Sequence, residues 1–212
     1  SPHKKITLFV SDIHLSESRD DIVAAFLRFL DEIVIEADSL YILGDLFDFW
    51  AGDDIETALT VTVAQHLRTL QERGVELYFQ HGNRDFALGN HYAKRAGITL
   101  IPPEYRLPGA PEIILLHGDE LCTDDLQYQK YKRWIRHPII LTLLRRLPKR
   151  YRLKLAENIR QKSQQREDRA IIDVNEDYVR NYFLEHKVST LIHGHTHRPN
   201  THQYDEQGQL YR

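Results

Sequence analysis

Seven oxygen and nitrogen donors stand just past short apolar runs in this chain. Asp12 and His14 follow Ile6-Thr-Leu-Phe-Val10, Asp45 follows Tyr41-Ile-Leu-Gly44, and Asn83 follows Val75 to Gln80. His117 follows Ile113 to Leu116, and His195 and His197 follow Val188 to Ile192. Carboxylate, carboxamide and imidazole donors without a thiolate suit Mn²⁺, Mg²⁺, Fe or Zn²⁺. The set points to a two-metal site with Asp45 as the shared bridge. Two cations roughly 3.5–4 Å apart clamp a phosphate and activate water near neutral pH. Imidazole binds metal only when deprotonated, so such a site weakens in acid. Any one of these residues could merely satisfy a loop; all seven together are hard to explain that way.

Donors so scattered meet only if the apolar runs are strands whose carboxyl ends lie together, the usual place for ligand chemistry in an α/β sheet. The β-branched composition of Ile6–Val10 fits a central strand. Strands are expected at Ile6–Val10, Ser39–Leu43, Val75–Gln80, Ile98–Ile101, Ile113–Leu116 and Val188–Ile192. In extended backbone Asp12 and His14 would share a face. Helices are expected from Asp20 to about Leu30, from Asp53 or Asp54 to Gly74, from Leu88 to Arg95, and from Asn175 to about His186. Pro102, Pro103, Pro108 and Pro111 mark loops. Strands alternating with helices give an α/β class.

With 212 residues, 42% of them hydrophobic, the chain can bury one good core. A single domain over 1–212 is expected, with a helical insertion, or lid, at about 125–170. The insertion reads as two helices, Leu126–Leu147 and Pro148–Gln164, with Pro138 as a kink. The net charge of −3 hides an asymmetry. Lys130 to Arg169 holds fourteen Lys/Arg against three acids, while the remainder holds fourteen against twenty-eight. One segment therefore meets an anionic partner. Its cations interleave with Trp134, Ile135, Ile139, Ile140, Leu143 and Leu144, which suits a cover over acyl chains or an anionic membrane surface. A hairpin packed on the core, or a basic groove for nucleic acid, are the other readings. The lone Cys122 excludes a disulfide framework and a Cys-rich zinc module, and a cytoplasmic protein is the default. No apolar run approaches a membrane span and no signal-peptide anatomy precedes Ile6. The absence of methionine and the abrupt stop at Arg212 lead us to expect that the sequence is part of a longer protein.

Asp12-Ile-His14, Gly44-Asp45-Leu-Phe-Asp48, Gly82-Asn83-Arg84-Asp85, His117 and Gly194-His195-Thr-His197 resemble, in order and spacing, the five motifs of the calcineurin-like metallophosphoesterases. The resemblance implies an αββα sandwich. It puts Asp12, His14, Asp45 and His197 on one metal, and Asp45, Asn83, His117 and His195 on the other. Arg84 departs from the histidine common at that position. Together with Leu46-Phe-Asp-Phe-Trp50 and His117-Gly-Asp-Glu-Leu-Cys-Thr-Asp-Asp125, it makes the chain similar to one branch of the family. That branch hydrolyses the pyrophosphate of a UDP-linked diacylated amino sugar in lipid A biosynthesis. The likeness implies two Mn²⁺ per chain, a monomer peripheral on the cytoplasmic face of the inner membrane, and no nucleic-acid partner. It implies Arg84 and His195 as catalytic, with Asn83, Asp125, Arg160, Ser163 and Arg166 joining them in substrate contact. The stretch 164–170 is shorter than the likeness implies, so Arg166 or Arg169 stands in for expected lysines. The alternative is a metal-dependent phosphodiesterase acting on nucleotides or nucleic acid. A metal-free scaffold is disfavoured, since none of the seven donors is missing. Arg84 either bonds phosphate oxygens bidentately or pairs with Asp85. Asp48, Asp85 and Asp119 either orient metal ligands or cap loops, His81 and His193 read as core histidines or as partners of the metal ligands, and Cys122 reads as core.

Overall fold

Four strands, β1 (Thr7–Val10), β2 (Ser39–Leu43), β3 (Glu76–Gln80) and β4 (Thr99–Leu100), form a parallel sheet in that order in the computed structural model. The structure describes residues 4–124, 126–169, 175–197, 201, 203–204 and 210–211, with backbone only for 166–169, 203–204 and 210–211. Every residue of β2 is buried, as expected of a strand covered on both faces. One face carries Leu40, Ile42, Leu77 and Phe79. It packs under α1 (Asp20–Glu32), α2 (Ala58–Glu72) and α3 (Asn90–Ala96) through Phe26, Leu30, Val63, Leu67 and Tyr92.

The other face carries an aromatic ladder. Phe9, Tyr41 and Tyr78 are in register on adjacent strands, and their rings stack at 5.6 and 4.5 Å. They pack against Tyr105, Leu107, Ile113, Leu115 and Ile192 of a second sheet. That sheet has the order β5 (Glu104–Leu107), β6 (Ala110–Leu116), β7 (Thr190–His193), with β5 antiparallel and β7 parallel to β6. Its outer face, Ile114 and Leu116, is covered by Val179 and Tyr182 of a helix at Glu176–His186. The layers are therefore helix, sheet, sheet, helix. Side chains as buried as Leu40, Phe79 and Leu115 each contribute about 1.5–3 kcal/mol. Between β6 and that last helix run α4 (Leu126–Ile135), α5 (Pro138–Arg146) and α6 (Lys149–Arg169), making the covering helix α7. Short β8 (Gln203–Tyr204) and β9 (Leu210–Tyr211) pair antiparallel.

The helical stretch differs from the expected pair. Pro138 does not kink one long helix; it opens a new one. A proline disfavours helical backbone in the residue before it, and His137 is extended (φ −61°, ψ 133°), its ring accepting the Ile139 amide as a cap. The start of α2 also moves. Thr57 and Thr60 form a reciprocal capping box there, so neither Asp53 nor Asp54 is the cap. Asp53 instead accepts from Gly89 N, Tyr92 N and Trp50 Nε1 at 2.9–3.0 Å, capping α3. The proline-marked loop conceals a strand. Tyr105 and Leu107 face the core of β5, and the chain turns at Pro108-Gly109 (φ +81° at Gly109) into β6, which includes Pro111.

Candidate metal centre

All seven donors lie at carboxyl ends of strands, and the structure brings them together. Asp12 and His14 follow β1, Asp45 follows β2, Asn83 follows β3, His117 follows β6, and His195 and His197 follow β7. The backbone there is not extended, contrary to expectation. Asp12, His14, Asp45, His195 and His197 have φ of 55°, 51°, 53°, 72° and 54°, in the left-handed region. Such backbone is costly for residues other than glycine and persists where neighbours fix it. Here Asp12 N donates to Gly44 O at 3.0 Å, His14 N to Asp45 O at 2.9 Å and Leu15 N to Leu46 O at 2.8 Å. The loops after β1 and β2 thus run side by side, each left-handed residue turning its side chain toward the same spot.

Two groups result. In the first, His14 Nε2 lies 3.3 Å from His197 Nε2, 3.8 Å from Asp45 Oδ2 and 4.0 Å from Asp12 Oδ1. His197 Nε2 lies 3.4 Å from Asp12 Oδ1. In the second, His117 Nε2 lies 3.5 Å from Asp45 Oδ2, with His195 beside it, ring centroids 5.1 Å apart. Asp12, His14 and His197 offer donor atoms within 4.8 Å of one another, as do Asp45, His117 and His195. Asp45 Oδ2 is near histidines of both groups, the position a bridging carboxylate needs. Asn83 joins the second group, its Nδ2 donating to His195 Nδ1 at 2.8 Å.

Close approach explains the glycines. A Cβ on Gly82 would stand 2.2 Å from Asp45 Oδ1 and 2.4 Å from Asp45 N. One on Gly44 would stand 2.5 Å from His117 Nδ1, in backbone at φ +88°. His117 Nδ1 donates to Leu43 O at 2.7 Å, which points Nε2 into the site.

The electrostatics fit a cation. Asp12 Oδ1 and His117 Nε2 are buried without a hydrogen-bond partner, as donors kept for an ion would be. Burial alone would raise Asp45, yet His117 and His14 beside it and the Arg84 amide, donating to Oδ1 at 2.9 Å, hold it well below the carboxylate range. Asp12 is likewise ionised: burial opposes this, and His197 outweighs it. Burial and the neighbouring His117 push His195 down to about 4, so its ring is neutral at pH 7. Burial also opposes a charge on His117, but Asp45, Asp119 and Asp12 raise it well above the ordinary imidazole value. The site thus draws positive charge inward, and the donors contain no thiolate.

Around the donors the aspartates divide the work. Asp85 is fully buried and accepts four amides: Asp45 N at 3.2 Å, Leu46 N at 2.8 Å, Phe47 N at 3.3 Å and Gly82 N at 3.0 Å. It caps loops, and Arg84 does not pair with it. The Arg84 guanidinium, 4% exposed, bonds Asp48 Oδ1 at 2.7 Å and Ser163 Oγ at 3.2 Å. Arg160 reaches Asp48 Oδ2 at 3.4 Å, and Asp48 Oδ1 stands 3.4 Å from His14 Nδ1. Arg84, Arg160 and Ser163 are thus gathered beside the first donor group. Asp125 and the Arg166 side chain lie outside the described residues. His81 bonds Leu88 O at 2.6 Å and His193 bonds Gly194 O at 3.0 Å, both local contacts. Cys122 is buried, its thiol toward Gly118 O.

A small cleft lies beside this cluster, lined by Asp48, Arg84 and Arg160 at its polar end and by Phe49, Trp50, Phe86, Ala156 and Ile159 along its wall. Of these apolar residues only Phe49 and Trp50 stand in a motif singled out above, and none was expected to line a cleft. Phe49-Trp50 directly after Asp48, and Phe86 directly after the third motif, were the available signals.

Known proteins resemble the chain closely. The UDP-2,3-diacylglucosamine hydrolase of Actinobacillus succinogenes is 50% identical over 203 residues, covering 93% of this chain and 86% of that one. The hydrolases of the same name from Edwardsiella ictaluri and Tolumonas auensis are 50% and 47% identical. They cover 93% and 92% of this chain, and 78% and 81% of their own. The crystal structure of Pseudomonas putida nuclease MPE is a looser likeness, with TM-score 0.40 and 20% identity over 51% of this chain and 52% of that one. The profile of the calcineurin-like phosphoesterases matches residues 7–199. With its strand-end donors and its layered sheets, the chain belongs to the calcineurin-like phosphoesterase family.

Proposed function

We propose that this chain hydrolyses the pyrophosphate of UDP-2,3-diacylglucosamine to UMP and 2,3-diacylglucosamine 1-phosphate (lipid X), a step of lipid A biosynthesis. The names of relatives 47–50% identical over more than nine-tenths of the chain support this. The observation that carries it is the juxtaposition of two donor groups with a cleft that is cationic at one end and apolar along its wall. A diacylated sugar phosphate has the same two-part character.

In this reading Asp12, His14, Asp45 and His197 hold one divalent cation, and Asp45, Asn83, His117 and His195 the other. Mn²⁺ is the first choice, and Mg²⁺, Fe or Zn²⁺ suit the same donors. Asn83 offers its oxygen once the carboxamide turns over beside His195. Two such cations, when bound, neutralise phosphate charge and make water a nucleophile near pH 7. The chain's own groups position the substrate. Phosphoryl transfer asks for alignment and charge compensation more than covalent help. Arg84, braced by Asp48 and Ser163, sets its positive charge beside the site for phosphate oxygens. His195 lies across the second group from His117 and shares in stabilising the charge that develops. Arg160, Ser163, Asp125 and Arg166 bind the remainder of the headgroup.

The helical stretch at about 125–170 acts as a lid over the acyl chains of a monomer held at the cytoplasmic face of the inner membrane. Support comes from Trp134, Ile139 and Leu143, 59%, 64% and 55% exposed among lysines and arginines. Among the described residues no helix is long and apolar enough to cross a membrane.

The test uses protein stripped by a chelator and assayed with and without Mn²⁺ on UDP-2,3-diacylglucosamine, bis-p-nitrophenyl phosphate and single-stranded DNA. Mn²⁺-dependent release of UMP from the first is expected. Preferred turnover of the diester or the DNA would instead make this a nucleotide or nucleic-acid phosphodiesterase.

A further inference from the structure

One face of α4 reaches into the second donor group. Tyr128 and Lys132 of α4 are four residues apart, and Arg136, one residue past the helix end with its amide still bonded to Lys132 O at 3.1 Å, continues the same side, while Lys130 and Trp134 are exposed. Arg136 Nη2 donates to Gly82 O at 2.8 Å and stands 3.4 Å from Asn83 Oδ1. The Tyr128 hydroxyl bonds the same Asn83 oxygen. Lys132 Nζ pairs with the buried Asp119 at 2.8 Å, and Arg136 lies 3.6 Å from the same carboxylate. Asp119 is two residues past His117. Helix α4 thus grips the chain at two points, beside Asn83 after β3 and beside His117 after β6. The first group is held otherwise: Asp12 and His14 hang on the backbone of Gly44 and Asp45.

We infer that Tyr128 and Arg136 are positioning residues that complete the second cation site, so that α4 sets the affinity for one cation of the two. Groups that orient metal ligands change affinity by about 10–100-fold when removed. A hydroxyl both donates and accepts, so Tyr128 holds the Asn83 carboxamide in either orientation. The grip of Arg136 on Gly82 O does not depend on that orientation.

The sign of the effect separates positioning from charge. By Coulomb's law, removing the Arg136 cation favours binding of a nearby metal ion. A loss of affinity in Arg136→Met therefore reports lost alignment. The inference rests on the two-cation reading, and the experiment tells the two apart. Mn²⁺ is titrated into chelator-stripped parent, Tyr128→Phe, Arg136→Met and Lys130→Met, with free Mn²⁺ read by electron paramagnetic resonance. Lys130→Met makes the same charge change on the outer face. Parent and Lys130→Met are expected to bind two Mn²⁺ alike. Tyr128→Phe and Arg136→Met are expected to keep one tight ion and to bind the other at least tenfold more weakly, with turnover restored by added Mn²⁺. Unchanged affinities, tighter binding, or parallel weakening of both ions would overturn the role of α4. Fewer than two ions in the parent would instead overturn the two-cation reading.

Discussion

Asp85→Asn tests how the loops around the donors are held. Its two oxygens each accept two amides, Oδ1 from Gly82 and Asp45, Oδ2 from Leu46 and Phe47, at 2.8–3.3 Å. None of Asp85 is exposed, so water does not substitute. An asparagine keeps one oxygen and turns an NH₂ group against the other pair of N–H donors. Burial and the neighbouring Asp45 raise the Asp85 carboxyl to about 6; above that pH each lost bond to the charged acceptor is worth about 1.5–3 kcal/mol, so losing two costs about 3–6 kcal/mol. That is a large share of the roughly 5–15 kcal/mol that holds a domain folded. With a urea m-value of about 3 kcal/mol per M, the midpoint falls by roughly 1–2 M. The assay is urea unfolding of the chelator-stripped protein, followed by tryptophan fluorescence. A midpoint shift below about 0.3 M would refute the claim that Asp85 ties the Asp45 loop to the Gly82 loop.

Other outcomes follow from the same geometry. Arg84→Ala lowers kcat by roughly tenfold or more while bound Mn²⁺, measured by atomic absorption, stays at the parent level; near-normal turnover would remove Arg84 from the chemistry. Gly82→Ala forces a methyl to within 2.2 Å of Asp45 Oδ1, so Mn²⁺ affinity by calorimetric titration should fall by about tenfold or more. Arg152 bonds both oxygens of Asp54, at 2.6 and 2.7 Å, and holds that carboxyl below its ordinary value of 3.8. A depressed folded-state pKa gives stability that is full above the ordinary value and fades as pH falls through the folded one. Asp54→Asn should therefore lower the melting temperature at pH 7 and progressively less on approaching pH 3; a deficit that does not shrink with acid would show the pair's charge to be irrelevant.

The convergence of these seven side chains was legible because strand ends constrain their places. Apolar runs ending in Asp, Asn or His are short-range signals, and all five survive in three dimensions. The left-handed backbone at Asp12, His14 and Asp45 was not legible, since it depends on the parallel loops bracing each other across β1 and β2. Strand β5 was missed because four prolines outweighed the Tyr105/Leu107 alternation, whose pairing with β6 is a tertiary fact. The partner of Arg84 was missed for a related reason. Asp85 is adjacent in sequence, but its carboxylate is claimed by four amides, which leaves Asp48 for the guanidinium. The α4 face could have been read: Tyr128, Lys132 and Arg136 are evenly spaced, but only the fold shows that this spacing faces Asn83 and Asp119.

In the proposed function the strand ends hold a pair of cations about the Asp45 carboxylate. Crystals grown with Mn²⁺ and measured at the manganese absorption edge test it directly. Two anomalous peaks roughly 3.5–4 Å apart, one against Asp12, His14 and His197 and the other against Asn83, His117 and His195, are the expected result. A single peak, or peaks away from Asp45, would contradict it.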